Sequence, residues 1–193
     1  MPIGKLPEFL PENALPYLKG WCGSFSLHIR ITKERQSKLG DYRKLKDGSH
    51  KITINSTLPR PLFFFVLTHE IAHLIAFEKF GRNILPHGKE WKHTFREMLV
   101  ESLAVYPEDL RPEILKFAKS PKANFLASHG IARYFHNPEG NLVTVEELSA
   151  GERFSYKGRD YEVLARRKIN YLCREARTGK QYLFKPLATV QKL

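Results

Sequence analysis

The stretch FSLHIRIT, residues 25–32, places Phe25, Leu27, Ile29 and Ile31 on one face and polar residues on the other, the period-two signature of a half-buried strand. Residues 38–58, KLGDYRKLKDGSHKITINSTL, read as a strand, a turn at Asp47-Gly48, and a second strand in which Ile52 and Ile54 alternate with Lys51, Thr53 and Asn55. The period then changes. PRPLFFFVLTHEIAHLIAFEKFG, residues 59–81, is apolar nearly all round. Pro61 suits a first helical turn and Gly81 a C-terminal cap, so the segment predicts a buried helix of about 20 residues. A loop, RNILPHG, leads to a second helix expected from Lys89 to Ala104 and closed by Pro107, and PEDLRPEILKFAK suggests a further short one. Before these elements, Pro2, Pro7, Pro11 and Pro16 keep any early helix short.

Near Ser120 the texture shifts. SPKANFLASHG resembles a linker, which places a domain boundary between residues 120 and 130. The tail reads as a β-meander: RFSY, a Lys157-Gly158 turn, DYEVLA, KINYLCREA, a Thr178-Gly179 turn, and KQYLFKPL. Tyr156, Tyr161, Tyr171 and Tyr182 recur at the spacing that a small sheet needs for its core, and their reading as core residues is preferred to base-stacking surfaces.

A hydrophobic share of 42% supports a packed core. The two cysteines, Cys22 and Cys173, form no CxxC pair, which fits a reducing compartment and excludes a cysteine-based zinc ribbon. The first twenty residues lack the basic-then-apolar pattern of a signal peptide. The most apolar run, PLFFFVL, meets Thr68, His69 and Glu70 well short of the ~20 residues of a membrane span. The expectation is therefore a soluble, cytoplasmic protein with no membrane partner. The formal net charge is +12, and over half of that excess lies in residues 151–193, with 11 basic against 4 acidic groups. A polyanion partner follows from such a tail, with Arg166, Arg167, Lys168, Arg174, Arg177 and Lys180 as candidate phosphate contacts.

One motif carries chemistry. In THEIAHLIAF, His69 and His73 lie one helical turn apart on one face and can share an ion, while Glu70 can act on water beside it as a general base. The competing reading, polar side chains satisfied inside a core helix, leaves three buried groups in an apolar segment short of partners. A catalytic zinc needs a third ligand. His87, beside Gly88 at the start of the next helix, is preferred over His93 and Glu97 further along it.

HEIAH, the loop, and HGKEWKHTF together resemble the SprT-like family of zinc metallopeptidases, as do KLGDYR (Lys38 to Arg43) and HKITINSTL (His50 to Leu58) upstream. The resemblance covers roughly residues 10–110 and matches His69, Glu70, His73 and His87, with Trp91 at the family's aromatic position. It implies an α+β fold. Residues 1–120 would form a zincin-like metallopeptidase domain, a small antiparallel sheet with the HExxH helix and a following helix. Residues 125–193 would form a small basic all-β meander, standing where relatives carry a four-cysteine zinc ribbon. It implies one Zn²⁺ per chain held by His69, His73 and His87, with Glu70 catalytic. The implied activity is endoproteolysis of proteins bound or crosslinked to DNA, by a monomer associated with the nucleoid if bacterial. Single-stranded DNA is among the expected partners. The strand Lys51 to Thr57 is expected to hold substrate by backbone pairing, and Tyr42, Arg43 and His93 are candidates for stabilising the oxyanion. Two other readings stay open: a non-proteolytic nucleic-acid-binding protein with structural zinc, and a zinc hydrolase of small amides.

Overall fold

A computed structural model describes residues 3–35, 37–125, 128–135 and 142–193. Leu126 and Ala127, inside the expected linker, lie outside the described residues. The chain divides into two compact units, Met1–Ile131 and Ala132–Leu193.

In the first unit, a 3-10 helix (Ile3–Phe9) and α1 (Ala14–Cys22) precede three strands, β1 (Leu27–Thr32), β2 (Gly40–Lys44) and β3 (His50–Asn55). These are followed by α2 (Arg60–Phe80), α3 (Lys89–Glu101), a 3-10 turn (Leu103–Val105), α4 (Arg111–Ala118) and α5 (His129–Phe135), the last of which continues past Ile131. The sheet order is β1-β3-β2, and it is mixed where an antiparallel sheet was expected: β2 and β3 form an antiparallel hairpin, but β1 runs parallel to β3. The reason lies in β3. Its Ile52 and Ile54 are fully buried, whereas β1 and β2 have no buried residue, so β3 takes the centre and β1 must approach its far edge. This also overturns Lys51 to Thr57 as a substrate-pairing strand, because both edges of β3 are already paired. The free edge near the long helix belongs to β2. Asn55, expected on the polar face, is fully buried. Its amide donates to the Arg35 and Lys38 carbonyls, both at 3.2 Å, and accepts from Arg35 Nε at 2.9 Å, fixing the loop that enters β2.

Pro59 stands at the N-cap of α2, Pro61 in its first turn, and Gly81 ends it at φ 81°, a left-handed conformation that favours glycine. By length and composition α2 could cross a membrane, yet 72% of its apolar window is buried within the protein. Its phenylalanines organise the core. Phe65 packs edge-on against Phe95, Phe117 and Phe125, with ring centroids 5.0–5.5 Å apart, and Phe64 meets Trp21 and Tyr106. Burying each such ring stabilises the fold by about 1.5–3 kcal/mol. Helix α3 ends three residues before the expected Ala104. The Ser102 hydroxyl donates to the Met98 carbonyl at 2.7 Å and the chain tightens into the 3-10 turn.

The second unit holds a six-stranded sheet of order β4-β9-β5-β6-β7-β8, antiparallel throughout. Strands β5 (Arg153–Tyr156), β6 (Arg159–Arg167), β7 (Asn170–Glu175) and β8 (Gln181–Phe184) form the meander. Strand β9 (Thr189–Lys192) returns to pair with β5 and carries β4 (Leu142–Thr144) outside it. The β5–β6 turn has positive φ at Lys157 and Gly158, the hairpin geometry whose twist matches its strands. Phe154, Tyr161, Val163, Cys173 and Phe184 are buried together, with Tyr156 and Tyr171 packed against them, while Tyr182 stays exposed at the rim. Cys173 is thus an apolar filler inside this core.

Candidate metal centre

The helix geometry of α2 puts His69, Glu70 and His73 on adjacent positions of one buried stretch, and the chain after Gly81 doubles back to deliver His87 just before α3. One nitrogen from each of His69, His73 and His87 lies within 4.8 Å of the others, and Nε2 of His87 stands 3.3 Å from Nε2 of His69. Two nitrogens bound at 2.0–2.1 Å to one tetrahedral ion are separated by about 3.3 Å. Trp91 wedges the three rings together, with centroids 4.7 Å from His69, 5.3 Å from His73 and 4.6 Å from His87, and its indole N–H donates to the His69 carbonyl. Burial pushes His69 down to about 3 and His73 to about 4, each lowered further by neighbouring imidazoles, and His87 is lowered as well. All three are therefore neutral lone-pair donors at pH 7, the state a cation requires. His69 Nδ1 is buried with no hydrogen-bond partner among the described residues, so the histidines alone leave this cluster unsatisfied. The donor set and spacing fit zinc.

Glu70 is buried beside them, and burial raises its carboxyl to about 8. Asp41 adds to the rise, while Arg35, Lys38 and a hydrogen bond from the Tyr42 backbone N–H oppose it. The pocket wall is the outer edge of β2. Leu39 C=O and Leu45 N–H bond toward β3, so alternation turns the backbone groups of Gly40, Tyr42 and Lys44 outward. A cleft of about 920 Å³ runs between this edge, α2 and the His87 loop, with Arg82, Ile84 and Phe125 along its walls.

Of the oxyanion candidates, Tyr42 lines the cleft. Its ring is stacked 6.2 Å from that of His73, and its hydroxyl, raised to about 12 by burial first, pairs with His50 Nδ1 at 3.1 Å. His50 in turn faces Glu78 at 3.7 Å. Arg43 turns away to pair with Asp41. His93 and Glu97, the rival ligands to His87, form an exposed pair with each other at 3.1 Å and do not line the cleft.

These pKa shifts set the pH dependence of the metal-free protein. Glu70 has a folded pKa above its ordinary 4.5, so its contribution is complete below 4.5 and is lost as pH rises to 8. The histidines are depressed below 6.5, so theirs is complete above 6.5 and lost on acidification toward 4 and 3. Between pH 6.5 and 8 ionisation of Glu70 costs stability, while the unfolded histidines, half protonated at 6.5, finish losing their protons and offset much of that cost. Urea denaturation of metal-free protein should therefore show Glu70→Gln gaining about 1–2 kcal/mol of stability relative to the parent as pH rises across that window.

In the second unit, all six candidate phosphate contacts are exposed. Arg166, Arg167 and Lys168 gather at the β6–β7 tip, where Lys168 has φ 56°. Arg177 and Lys180 lie in the β7–β8 connection, at the other end of β7, one strand length or roughly 17–20 Å away. Arg174 is engaged by Glu162 at 2.9 Å. The sheet thus brings three of the six together and separates them from two others. A groove of about 550 Å³ beside β8, lined by Tyr156, Tyr182, Leu183 and Lys185 among others, was not anticipated; only the exposure of Tyr182 on an edge strand reveals it.

A family model described as the SprT-like family matches residues 15–109. Among curated relatives, Protein SprT of Glaesserella parasuis serovar 5 (strain SH0165) is 50% identical over 34 residues, 18% of this chain and 21% of that protein. Protein SprT of Yersinia pestis is 38% identical over 55 residues, covering 26% and 32%. Protein SprT of Pseudomonas aeruginosa (strain UCBPP-PA14) is 29% identical over 96 residues, covering 42% and 58%. The matched stretch thus spans no more than 58% of the length of any of these three relatives. No solved structure matches the chain.

Proposed function

We propose, from the match of residues 15–109 to the SprT-like family model, that the chain is a SprT-like zinc-dependent endopeptidase acting on DNA-associated or DNA-crosslinked proteins. The observation that carries this reading is the convergence of three neutral imidazoles beside a buried carboxyl at the floor of an open cleft. His69, His73 and His87 would hold one zinc ion, which would supply Lewis-acid polarisation of the scissile carbonyl and acidify water. Glu70 accepts the proton released by water and returns it to the departing amine nitrogen. With a cation alongside, the Glu70 carboxyl is favoured as the carboxylate that can take that proton. The outward N–H and C=O groups of β2, apart from the Tyr42 N–H turned to Glu70, pair with an extended substrate backbone, which gives broad specificity. A purely structural site has no use for a glutamate so placed.

Recruitment to DNA is assigned to the second unit. Supporting it are the +12 net charge, the Arg166-Arg167-Lys168 tip and the groove in which tyrosines meet Lys185. The test is cleavage of a DNA-binding protein by the zinc-loaded enzyme, with and without single-stranded DNA, at two salt concentrations. DNA-stimulated cleavage that weakens with salt, and weakens again on substituting Arg166, Arg167 and Lys168 by Glu, is expected. Cleavage indifferent to DNA would move the assignment to a hydrolase without nucleic-acid gating.

A further inference from the structure

Gly40 opens β2 at the point where the strand crosses α2. A Cβ built there would stand 2.6 Å from Glu70 Oε1, 2.9 Å from Glu70 Cγ and 2.7 Å from Val66 Cγ1. Real side chains do not approach so closely, so either the strand or the glutamate would have to move. The strand is the less mobile partner. It is paired with β3 from Gly40 to Lys44, and the Asn55 amide clamps the loop before it. Glu70 is the longer and more flexible of the two side chains and would be displaced furthest, with buried Val66 giving slightly. The backbone at Gly40 is not left-handed, so conformation alone does not call for glycine there. What calls for it is the space that Glu70 occupies.

Resting on the proteolytic reading above, we propose that Gly40 is a positioning residue: its missing side chain lets the β2 backbone close over Glu70 and hold that carboxyl in the cleft beside His69. The Gly40 Cα sets how far the side chain can retreat from α2, and the outward-turned N–H of Tyr42, two residues along the same strand, favours the carboxylate. The general base is thereby held by backbone, which gives more rigid support than a second side chain would. The Gly40 contact does not involve the three histidines, so the metal ligands and the base are placed by different parts of the fold.

The test is Gly40→Ala, measured three ways. Zinc content should stay near that of the unaltered protein because the ligands are untouched, while the melting temperature should fall modestly because buried Val66 must give as well as Glu70. The kcat should fall by about 10²-fold with KM little changed, as expected for a reacting group misplaced by about an ångström. In a Glu70→Gln background, adding Gly40→Ala should cost nothing further, because its target is already gone. Crystal structures of the zinc-loaded unaltered protein and Gly40→Ala supply a readout independent of turnover, with the histidines superposing and the Glu70 carboxyl shifted. An unmoved Glu70, an undiminished kcat, or an equal further loss in the Glu70→Gln background would overturn the assignment. If the unaltered protein and Glu70→Gln have the same activity, the proteolytic reading fails instead, and the crystal structures still decide whether Gly40 places Glu70.

Discussion

Glu70→Gln is expected to keep one zinc ion per chain and to lower proteolysis by about 10²–10⁴-fold, the usual contribution of a positioned general base. The amide fills nearly the same volume against Gly40 and Val66, so the fold should hold. Being neutral and unable to accept a proton at pH 7, it cannot deprotonate water. The substitution also removes a buried ionisable group, so metal-free Glu70→Gln should be no less stable than the parent at pH 8. Metal analysis alongside single-substrate kinetics checks both halves. No turnover in either protein, with zinc bound and DNA binding intact in both, would favour the structural-zinc reading. Loss on a small amide substrate, with no response to DNA, would favour the small-substrate hydrolase.

The second large effect is on metal binding itself. His73→Ala removes one of three convergent donors and leaves His69 and His87 able to form only a two-nitrogen site. Zinc affinity should fall by more than the roughly 10–100-fold that follows loss of a mere outer-shell partner. Added zinc raises the melting temperature of a protein that binds it in the folded state, so the parent should show a thermal shift and His73→Ala should not. His93→Ala is the control. That side chain is exposed and paired with Glu97, and its removal should leave zinc affinity and thermal shift unchanged. A loss of zinc in His93→Ala equal to that in His73→Ala would dismiss the proposed ligand set.

Much of the site could be read directly. The helical spacing of His69, Glu70 and His73 fixes their common neighbourhood through covalent geometry alone, and Pro61 and Gly81 bound the helix that carries them. The tyrosine alternation of the tail likewise followed from the two-residue period of a strand, with Tyr156, Tyr161 and Tyr171 packed inward. Tyr182 obeys the same period but stays exposed, because β8 is an edge strand with no neighbour to cover it.

The parts that escaped are those set by distant pairing. No local pattern distinguishes a central strand from an edge strand among three short ones, so the parallel β1–β3 pair and the free edge of β2 had to come from the fold. Gly40 stood within KLGDYR with no role of its own, and only the approach of Glu70 from α2 gives it one. Trp91 marked a motif position, but its place as the wedge among three imidazoles depends on α3 folding back over α2. Arg166 and Arg177 looked like members of one basic run until the antiparallel course of β7 set them at opposite ends.

By itself, then, the chain determined which residues can be metal donors, where the long helix begins and ends, and that its charge is concentrated in the tail, since these depend on side-chain chemistry and short-range periodicity. The tertiary structure decided which strand faces the cleft, what holds Glu70 in place, and which cations share a surface. These depend on contacts between residues far apart in sequence, and burial of Ile52, Ile54 and the α2 phenylalanines selects those contacts over the alternatives that the same local patterns allow.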